Sequence, residues 1–231
     1  YLDGEMDGKS FSLSTFNGAF LMVYTGTVLP DGKLQGRFYS GMTGYDTWSA
    51  FRNDSASLPD PASLTFLKPG AGKFGFDLPD MEGNRWSLKH PRFSNKVTVV
   101  QLMGTWCPNC LDETRFFVDY YNLHRSEGVE MIAIDFERLT DSARVHQNIE
   151  RIRQRLHVTY PILFGGSSNR DSSSAVLPAL NRIFAYPTTL IIDKKGEVRK
   201  IHTGFSGPAT GKEYELFTRE FDALIRKLLS E

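Results

Sequence analysis

Cys107 and Cys110 are the only two cysteines in the 231-residue sequence, and two residues separate them. This Cys-x-x-Cys spacing places both sulfur atoms within one helical turn, close enough to form a disulfide with little movement of the chain. A deprotonated thiol at such a position can also attack a disulfide in another molecule. The sequence therefore predicts one centre of sulfur chemistry and no disulfide framework elsewhere.

The residues around the pair indicate which cysteine reacts first. The apolar run 97–103 predicts a strand buried on both faces, and a helix is predicted over residues 108–125. Cys107 then lies at the helix N-terminus, where unpaired N–H groups and the helix dipole stabilise a thiolate. Pro108 suits the first turn because its missing N–H would have no partner inside the helix. We therefore expect Cys107 to attack and Cys110 to resolve the mixed disulfide.

Two other interpretations of the cysteine pair carry less support. A zinc site needs two further ligands at suitable spacing, and the five histidines include no His-x-x-x-His pair. A purely structural disulfide across two residues restrains little of the unfolded chain. A redox-active pair is therefore the favoured interpretation of Cys107 and Cys110.

Composition limits the class of protein. Lysine plus arginine and aspartate plus glutamate number 27 each, which argues against a broad nucleic-acid-binding surface. The sequence is 40% hydrophobic and 13% aromatic, enough for a folded core. No run of about 18 apolar residues predicts a membrane span. Because the sequence starts at Tyr1 without a leader, we expect a mature or trimmed piece, and a removed signal peptide or lipid anchor remains open.

Residues 1–70 are predicted to form a small antiparallel β module. Phe11, Leu13 and Thr15 alternate with serines, and Asn17-Gly18 is typical of a hairpin turn. Roughly four strands are expected, too few to enclose a core, so the module should pack on other structure or be the end of a larger β domain. A linker is predicted over residues 55–72, where prolines and glycines concentrate.

Residues 71–231 alternate predicted strands and helices, the pattern of a mixed α/β sandwich. Thr140 is predicted to cap the second helix. A polar loop is expected over 165–174, and a short helix near 176–183. The predicted strands are 97–103, 129–136, 160–164, 188–193 and 198–202. One face of the last helix carries Tyr214, Phe217, Phe221, Leu224 and Leu228.

Two segments resemble the active site of the thioredoxin fold: Trp106-Cys107-Pro108-Asn109-Cys110 after an apolar strand, and Ala185-Tyr186-Pro187-Thr188-Thr189 before another. Over about residues 72–231 the chain is most similar to the TlpA/ResA-type branch of bacterial extracytoplasmic thiol–disulfide oxidoreductases. The resemblance implies a three-layer sandwich with a central mixed sheet. Relatives in the Bacteroidetes group often carry a β-rich region before this domain, which fits residues 1–70.

The resemblance also implies roles for residues around the cysteines. Pro187 would be a cis-proline against the disulfide and part of the catalytic site, and Tyr186 would offer backbone groups to an extended substrate chain. Trp106 would flank the thiolate and contact substrate. Pro108 and Asn109 would border the substrate and help set the redox poise, which we expect to be intermediate or reducing because Asn109 is uncharged.

The sequence departs from thioredoxin at the proton-handling position. Gln101 stands where thioredoxin has a buried aspartate, six residues before the first cysteine, and an amide cannot ionise. In the ResA-like branch a glutamate after the second strand is expected to take a related role, and Glu137 is the nearest match. A partly buried carboxylate can have a raised pKa and accept a proton. A surface ion pair of Glu137 with Arg138 or with another neighbour is the equal alternative.

The sequence therefore predicts a thiol–disulfide oxidoreductase that reduces protein disulfides outside the cytoplasm. The Cys107–Cys110 disulfide would be its redox group, with no cofactor, metal or nucleic acid. Its partners would be protein thiols or disulfides and an upstream electron donor. The resemblance implies a periplasmic or cell-envelope location, a lipid or membrane anchor in a preceding segment, and a process such as cytochrome c maturation.

Other functions stay open at this point. An isomerase or oxidase would use the same cysteines with a more oxidising pair. A metal- or haem-delivery protein would use the dithiol as a ligand. A peroxiredoxin is disfavoured, because the arrangement Pro-x-x-x-Thr-x-x-Cys is missing from the sequence.

Overall fold

The computed structural model describes residues 2–16, 21–42, 44–57, 60–139 and 141–231. The chain divides into two compact units, residues 1–58 and 59–231. The predicted turn at Asn17-Gly18 and the predicted helix cap at Thr140 lie outside the described residues. Asp141 caps the helix that follows it, since its Oδ1 accepts a hydrogen bond from the N–H of Arg144 at 2.8 Å.

In the described part of the first unit, five antiparallel strands follow one another in sequence order. They are β1 (Asp3–Asp7), β2 (Ser10–Phe16), β3 (Leu21–Val28), β4 (Leu34–Ser40) and β5 (Gly44–Ala50). The expectation of four strands missed β1, because all five of its residues are exposed and show no apolar alternation. Backbone pairing with β2 alone defines that strand. Aromatic residues cluster on the sheet, with the Phe11 and Trp48 rings 5.8 Å apart and Tyr24 and Phe38 4.7 Å apart.

The second unit is built on a five-stranded mixed sheet, as far as the described residues extend. Its strands are β8 (Val97–Met103), β9 (Val129–Glu137), β10 (Ile162–Ser167), β11 (Thr188–Ile192) and β12 (Val198–Thr203), preceded by a hairpin of β6 (Asp77–Pro79) and β7 (Arg85–Ser87). Its helices are α1 (Pro61–Leu64), α2 (Pro108–His124), α3 (Ser142–Leu156), α4 (Arg170–Val176) and α5 (Lys212–Ser230). The strand order is β10-β9-β8-β11-β12, in which β8, β9 and β10 are parallel and β11 and β12 alternate in direction.

Alternating side chains of the central strands form two separate cores, because successive residues of a strand point to opposite faces. One core packs the sheet against α2, α3 and α5, and includes Val99, Met131, Phe117, Ile149 and Phe221. The other core packs the opposite face against the lead-in segment and the chain after α4, and includes Val100, Ile132, Phe76, Leu177 and Leu180. The predicted three-layer sandwich with a central mixed sheet is confirmed.

The helix predicted at residues 176–183 was placed wrongly. The structure has α4 at Arg170–Val176, so the polar loop predicted before it is shorter. The side chain of Asn169 accepts hydrogen bonds from the N–H groups of Asp171 and Ser172, at 3.0 and 3.4 Å, and so caps the helix start. A run of serines concealed this helix, because serine is typical of loops and caps alike.

The second half of the predicted linker is packed structure in the second unit. The N–H of Lys68 donates to the carbonyl of Ala179, and the N–H of Asn181 donates to the carbonyl of Phe66, both at 2.9 Å. Thr65 is fully buried. These residues are therefore held by backbone pairing and burial, which proline and glycine content alone did not reveal. None of the helices in the described ranges is long and apolar enough to cross a membrane.

Candidate active site

The two cysteines lie where β8 meets α2. The fully buried strand ends at Met103, and Cys107 is the N-cap of the helix, its Sγ accepting a hydrogen bond from the N–H of Cys110 at 3.3 Å. The structure contains the Cys107–Cys110 disulfide, with the Cα atoms 5.2 Å apart. Cys110 is fully buried, whereas Cys107 retains 5% exposure. The sulfur at the helix start is thus the more accessible one.

The register of the sheet brings Pro187 beside this disulfide. Strand β11 runs antiparallel to β8, and its first residue, Thr188, pairs with Leu102 near the end of β8. The Tyr186–Pro187 peptide bond is cis, as predicted. The carbonyl oxygen of Tyr186 lies 3.6 Å from the Sγ of Cys107. The backbone before Pro187 therefore borders the sulfur that a substrate would reach.

Trp106 is held next to the redox pair by three contacts. Its Nε1–H donates to the carbonyl oxygen of Phe136 at 2.9 Å, and its ring meets Tyr186 edge-on with the centroids 5.8 Å apart. The guanidinium of Arg138 lies 3.7 Å above the ring centroid. Pro108 and Asn109, also predicted to border substrate, occupy the first turn of α2 and are half-buried.

Glu137 is the last residue of β9 and is buried, with 1% of its surface exposed. Its Oε1 accepts hydrogen bonds from the backbone N–H of Thr105, at 3.2 Å, and from the Thr105 hydroxyl. The alternative of a surface ion pair with Arg138 is wrong, because Glu137 points inward and Arg138 stacks on Trp106. The role of Glu137 as proton acceptor stays a prediction.

A second buried carboxyl, that of Asp135, accompanies Glu137. The N–H of Thr105 also donates to Asp135 Oδ1 at 3.1 Å, so both carboxyls converge on the residue before Trp106. Burial, followed by the nearby charge of Glu137, raises the pKa of Asp135 well above its ordinary value. Asp135 Oδ2 is buried and has no hydrogen-bond partner among the residues that the structure describes.

A third carboxyl, Glu113, lies one helical turn after Cys110 and is fully buried. Its Oε2 accepts a hydrogen bond from Gln101 Nε2 at 2.9 Å, and its Oε1 accepts one from the hydroxyl of Thr189 at 2.8 Å. Burial outweighs these hydrogen bonds and raises the pKa of Glu113 to about 8. The carboxyl is therefore largely protonated at neutral pH and can exchange a proton in the physiological range.

A hydrogen-bond network joins Glu113 to the second cysteine. The same Gln101 amide donates to the carbonyl of Cys110 at 3.2 Å, and the Thr114 hydroxyl donates to that carbonyl at 2.8 Å. The sequence analysis missed Glu113. The available signal was its spacing, because Cys110, Glu113 and Phe117 recur at the three- and four-residue steps of one helix face, and a charged residue on a buried face suggests chemistry.

The structure offers little support for a bound metal. Within the described residues, no group of three or more histidine, cysteine, aspartate or glutamate side chains is arranged to hold a metal ion. Two cysteines alone leave a tetrahedral zinc site two ligands short. The arrangement suits disulfide exchange, which needs an accessible nucleophilic sulfur, a resolving sulfur and a proton acceptor.

Comparison with known proteins agrees with this chemistry. Residues 56–216 match the family model described as Redoxin. The chain belongs to the Redoxin family. It is 32% identical over 140 residues to the thiol-disulfide oxidoreductase ResA of Geobacillus thermodenitrificans, which covers 61% of this chain and 72% of that protein. It is 26% identical over 145 residues to the sporulation thiol-disulfide oxidoreductase A of Bacillus subtilis, covering 63% and 78%.

Solved structures confirm the fold of this Redoxin-family protein. The C-terminal domain of a proposed thiol-disulfide oxidoreductase from Bacteroides thetaiotaomicron aligns with a TM-score of 0.52 and 14% identity, covering 69% of this chain and 95% of that one. With these relatives and its Cys107–Cys110 pair, the chain is a thiol–disulfide oxidoreductase of the TlpA/ResA type. The enzyme class predicted from the sequence is confirmed.

Proposed function

We propose that this Redoxin-family enzyme reduces disulfides of other proteins outside the cytoplasm, using Cys107 and Cys110. The observation that carries the proposal is the position of the Cys107 sulfur. It lies at a helix N-terminus, it is more exposed than Cys110, and the Tyr186 carbonyl borders it at 3.6 Å. A helix N-terminus stabilises a thiolate, and a thiolate is the form that attacks.

The reaction proceeds in two exchange steps from the reduced dithiol. The Cys107 thiolate attacks one sulfur of the substrate disulfide, forms a mixed disulfide and releases the other substrate sulfur as a thiolate, which takes up a proton. Cys110 then loses its proton and attacks the Cys107 sulfur, which releases the second substrate thiol and closes the Cys107–Cys110 disulfide. The substrate disulfide gains two electrons and two protons, and a donor dithiol returns the same to the enzyme.

Deprotonation of the buried Cys110 needs a nearby proton acceptor, because its thiolate would otherwise form in an apolar environment. Glu113 suits this role better than Glu137. Its pKa is about 8, and Gln101 links its carboxyl to the backbone of Cys110. Glu137 bonds instead to Thr105, on the approach to Trp106. We assign the role of acceptor for the Cys110 proton to Glu113 and keep Glu137 as the alternative.

Substrate recognition would use the backbone before Pro187 together with Trp106. An extended chain that places its disulfide at Cys107 passes the Tyr186 carbonyl, which can accept a backbone hydrogen bond as in strand addition. The Trp106 ring is held by the Phe136 carbonyl and supplies an apolar surface beside the sulfur.

The proposal includes a location in the periplasm or cell envelope, as the resemblance to extracytoplasmic thiol–disulfide oxidoreductases implies. Protein disulfides form and persist mainly outside the cytoplasm, which agrees with such a location. A lipid or membrane anchor in a preceding segment and a contribution to cytochrome c maturation, both implied by the family resemblance, are part of the same proposal. Cell fractionation with an antibody to the chain would test the location, and recovery in the cytosol alone would contradict it.

The activity is tested by reduction of insulin with a thiol donor. We expect Cys107→Ser to abolish the reaction, and survival of the activity in that variant would refute the proposal. Equilibration of the Cys107–Cys110 pair with glutathione separates the directions of electron flow. A reducing potential supports the proposed reductant, whereas a potential near that of protein disulfide isomerase or DsbA supports an isomerase or oxidase.

A further inference from the structure

A groove of about 500 Å³ opens beside Trp106 in the second unit. This is within the range of about 300–1,000 Å³ that is usual for ligand sites. Its floor is apolar and includes Leu111, Leu139 and Ile152. Four guanidinium groups surround the floor, those of Arg115, Arg138, Arg151 and Arg155. We call this feature the arginine groove.

The arginine groove is continuous with the redox site. Trp106 forms part of its wall and also contacts Tyr186, whose carbonyl borders the Cys107 sulfur. Leu111 lies one helical turn from Cys107, and its N–H donates to the Cys107 carbonyl at 3.2 Å. A chain whose disulfide reaches Cys107 would therefore extend its neighbouring residues into the groove.

The lining of the arginine groove has a net positive charge, with four arginines and one glutamate. Arg151 and Arg155 are four residues apart on α3, are exposed, and have no carboxylate of any described residue at ion-pair distance. Arg115 pairs with Asp112, and Arg138 stacks on Trp106. The carboxylate that lines the groove, Glu137, is buried and accepts its hydrogen bonds from Thr105.

Like charges four residues apart on a helix destabilise it slightly, so Arg151 and Arg155 are not explained by the stability of α3. Arg153 on the same helix shows the contrast, because it forms an ion pair with Glu150 at 2.9 Å and does not line the groove. Exposed guanidiniums around an apolar floor match a ligand that carries carboxylates on apolar stems.

We propose that the arginine groove binds acidic residues that flank a cysteine of the substrate, so that the enzyme selects acidic disulfide segments of proteins. The inference rests on the proposed function and adds the class of substrate to it. Trp106 connects the two parts of the site, since it lines the groove and also contacts Tyr186 beside the redox pair. The guanidiniums of Arg151 and Arg155 bind the carboxylates, and the apolar floor receives the carbon chains that carry them.

The test uses the full chain and three disulfide-bonded peptides that differ only in the residues flanking one cysteine, which are glutamate, glutamine or lysine. We expect kcat/KM to decrease in that order. The glutamate peptide should exceed the glutamine peptide by about three- to tenfold at low ionic strength, the size expected for two exposed charge pairs. The ratio should shrink as salt is added, because salt screens exposed charges.

Variants of α3 test whether Arg151 and Arg155 cause the preference for the glutamate peptide. In the double variant Arg151→Gln, Arg155→Gln, the ratio of kcat/KM between the glutamate and glutamine peptides should fall towards one. The main cause should be a higher KM for the glutamate peptide. Substitution of both residues by lysine should retain part of the preference for the glutamate peptide, because the charge remains while the guanidinium geometry is lost. Arg153→Gln is the matched control on the same helix, and its ratio should equal that of the wild type.

The outcomes separate the two proposals. Reduction of all three peptides at equal rates, or an equal loss of selectivity in Arg153→Gln, overturns the role of the groove and leaves the proposed function intact. A double variant that is impaired only with oxidised glutathione indicates a small anionic disulfide and also overturns the peptide proposal. Failure to reduce any of the three peptides contradicts the proposed function itself.

Discussion

The side-chain amide of Gln101 donates a hydrogen bond to the buried carboxyl of Glu113, with 2.9 Å between Nε2 and Oε2. It donates a second one, at 3.2 Å, to the carbonyl of Cys110. Gln101 occupies the position where thioredoxin has a buried aspartate. In this protein that strand position carries a neutral amide, which connects the backbone of Cys110 to a buried carboxyl on the helix that carries both cysteines.

The first prediction concerns the proton acceptor. In Glu113→Gln we expect the rate of the resolving step to fall by about 10- to 100-fold, at or below the lower end of what general acid–base catalysis contributes. The wild-type rate should rise through a transition near pH 8, where Glu113 titrates, and the variant should lack this transition. Stopped-flow tryptophan fluorescence during a single turnover would measure both effects.

Glu137→Gln is the matched control for that experiment. Glu137 bonds to Thr105 rather than to the network around Cys110, so its replacement should leave the transition near pH 8 in place. Loss of the transition in Glu137→Gln and its survival in Glu113→Gln would assign the proton to Glu137.

The second prediction concerns stability against pH. The pKa of Glu113 is about 8 in the folded protein and 4.5 in its ordinary state, so the folded protein holds this proton more tightly. The stabilisation is complete below about pH 4.5 and is lost as the pH rises through about 8. The wild type should lose a few kcal/mol of unfolding free energy across this window, since one pKa unit corresponds to about 1.4 kcal/mol.

Urea unfolding of the oxidised protein at about pH 5 and about pH 8.5 would measure the loss. Glu113→Gln should lose less than the wild type, because the amide does not ionise. Burial also raises the pKa of Asp135, which acts in the same direction, so a residual decline should disappear in the additional variant Asp135→Asn. Identical pH dependence of stability in the wild type and Glu113→Gln would contradict the raised pKa of the buried Glu113 carboxyl.

The third prediction concerns the separate roles of Cys107 in attack and Cys110 in resolution. Cys110→Ser should accumulate a mixed disulfide between Cys107 and the substrate, because no second sulfur remains to release it. Non-reducing electrophoresis and mass spectrometry would detect the adduct. Cys107→Ser is the control and should form none, since Cys110 is fully buried. An adduct that forms only in Cys107→Ser would reverse the assigned roles.

The fourth prediction concerns Gly104, the residue after β8. A Cβ atom at this position would clash with the indole nitrogen of Trp106 and would lie 2.8 Å from the Phe136 carbonyl oxygen. Gly104→Ala should therefore displace Trp106, lower the exchange rate and cost about 1–3 kcal/mol of unfolding free energy. Activity assays and urea unfolding would measure these losses.

Gly75→Ala provides the control for Gly104→Ala, because a Cβ at Gly75 would meet no atom within 4 Å. That variant should match the wild type in activity and stability. Wild-type behaviour of Gly104→Ala would show that Trp106 does not need its observed position.

Elements indicated by residues adjacent in the sequence were predicted correctly. The run 97–103 indicated a buried strand, and every residue of β8 is buried. Pro108 indicated the start of a helix, and α2 begins there with Cys107 as its cap. These features depend on neighbours in sequence, since burial on both faces needs uninterrupted apolar residues and a helix start needs particular residues at its first turn.

Features that depend on pairing or capping escaped the sequence analysis. Strand β1 is exposed throughout and exists through its backbone bonds to β2. Helix α4 depends on the Asn169 cap, whose polar neighbours are equally typical of a loop. In both cases the decisive interaction is a hydrogen bond that composition does not encode.

The sequence by itself determined that this protein has one redox pair, at a strand-to-helix junction, with a proline elsewhere in the chain that could accompany it. Those signals are types and spacings of residues. Only the tertiary structure revealed Glu113 as a candidate proton acceptor, because its raised pKa results from burial, which outweighs the hydrogen bonds from Gln101 and Thr189 on two strands of the sheet. It also brought Arg151 and Arg155 into one groove with Trp106, because that arrangement depends on how α3 packs beside the residues before α2.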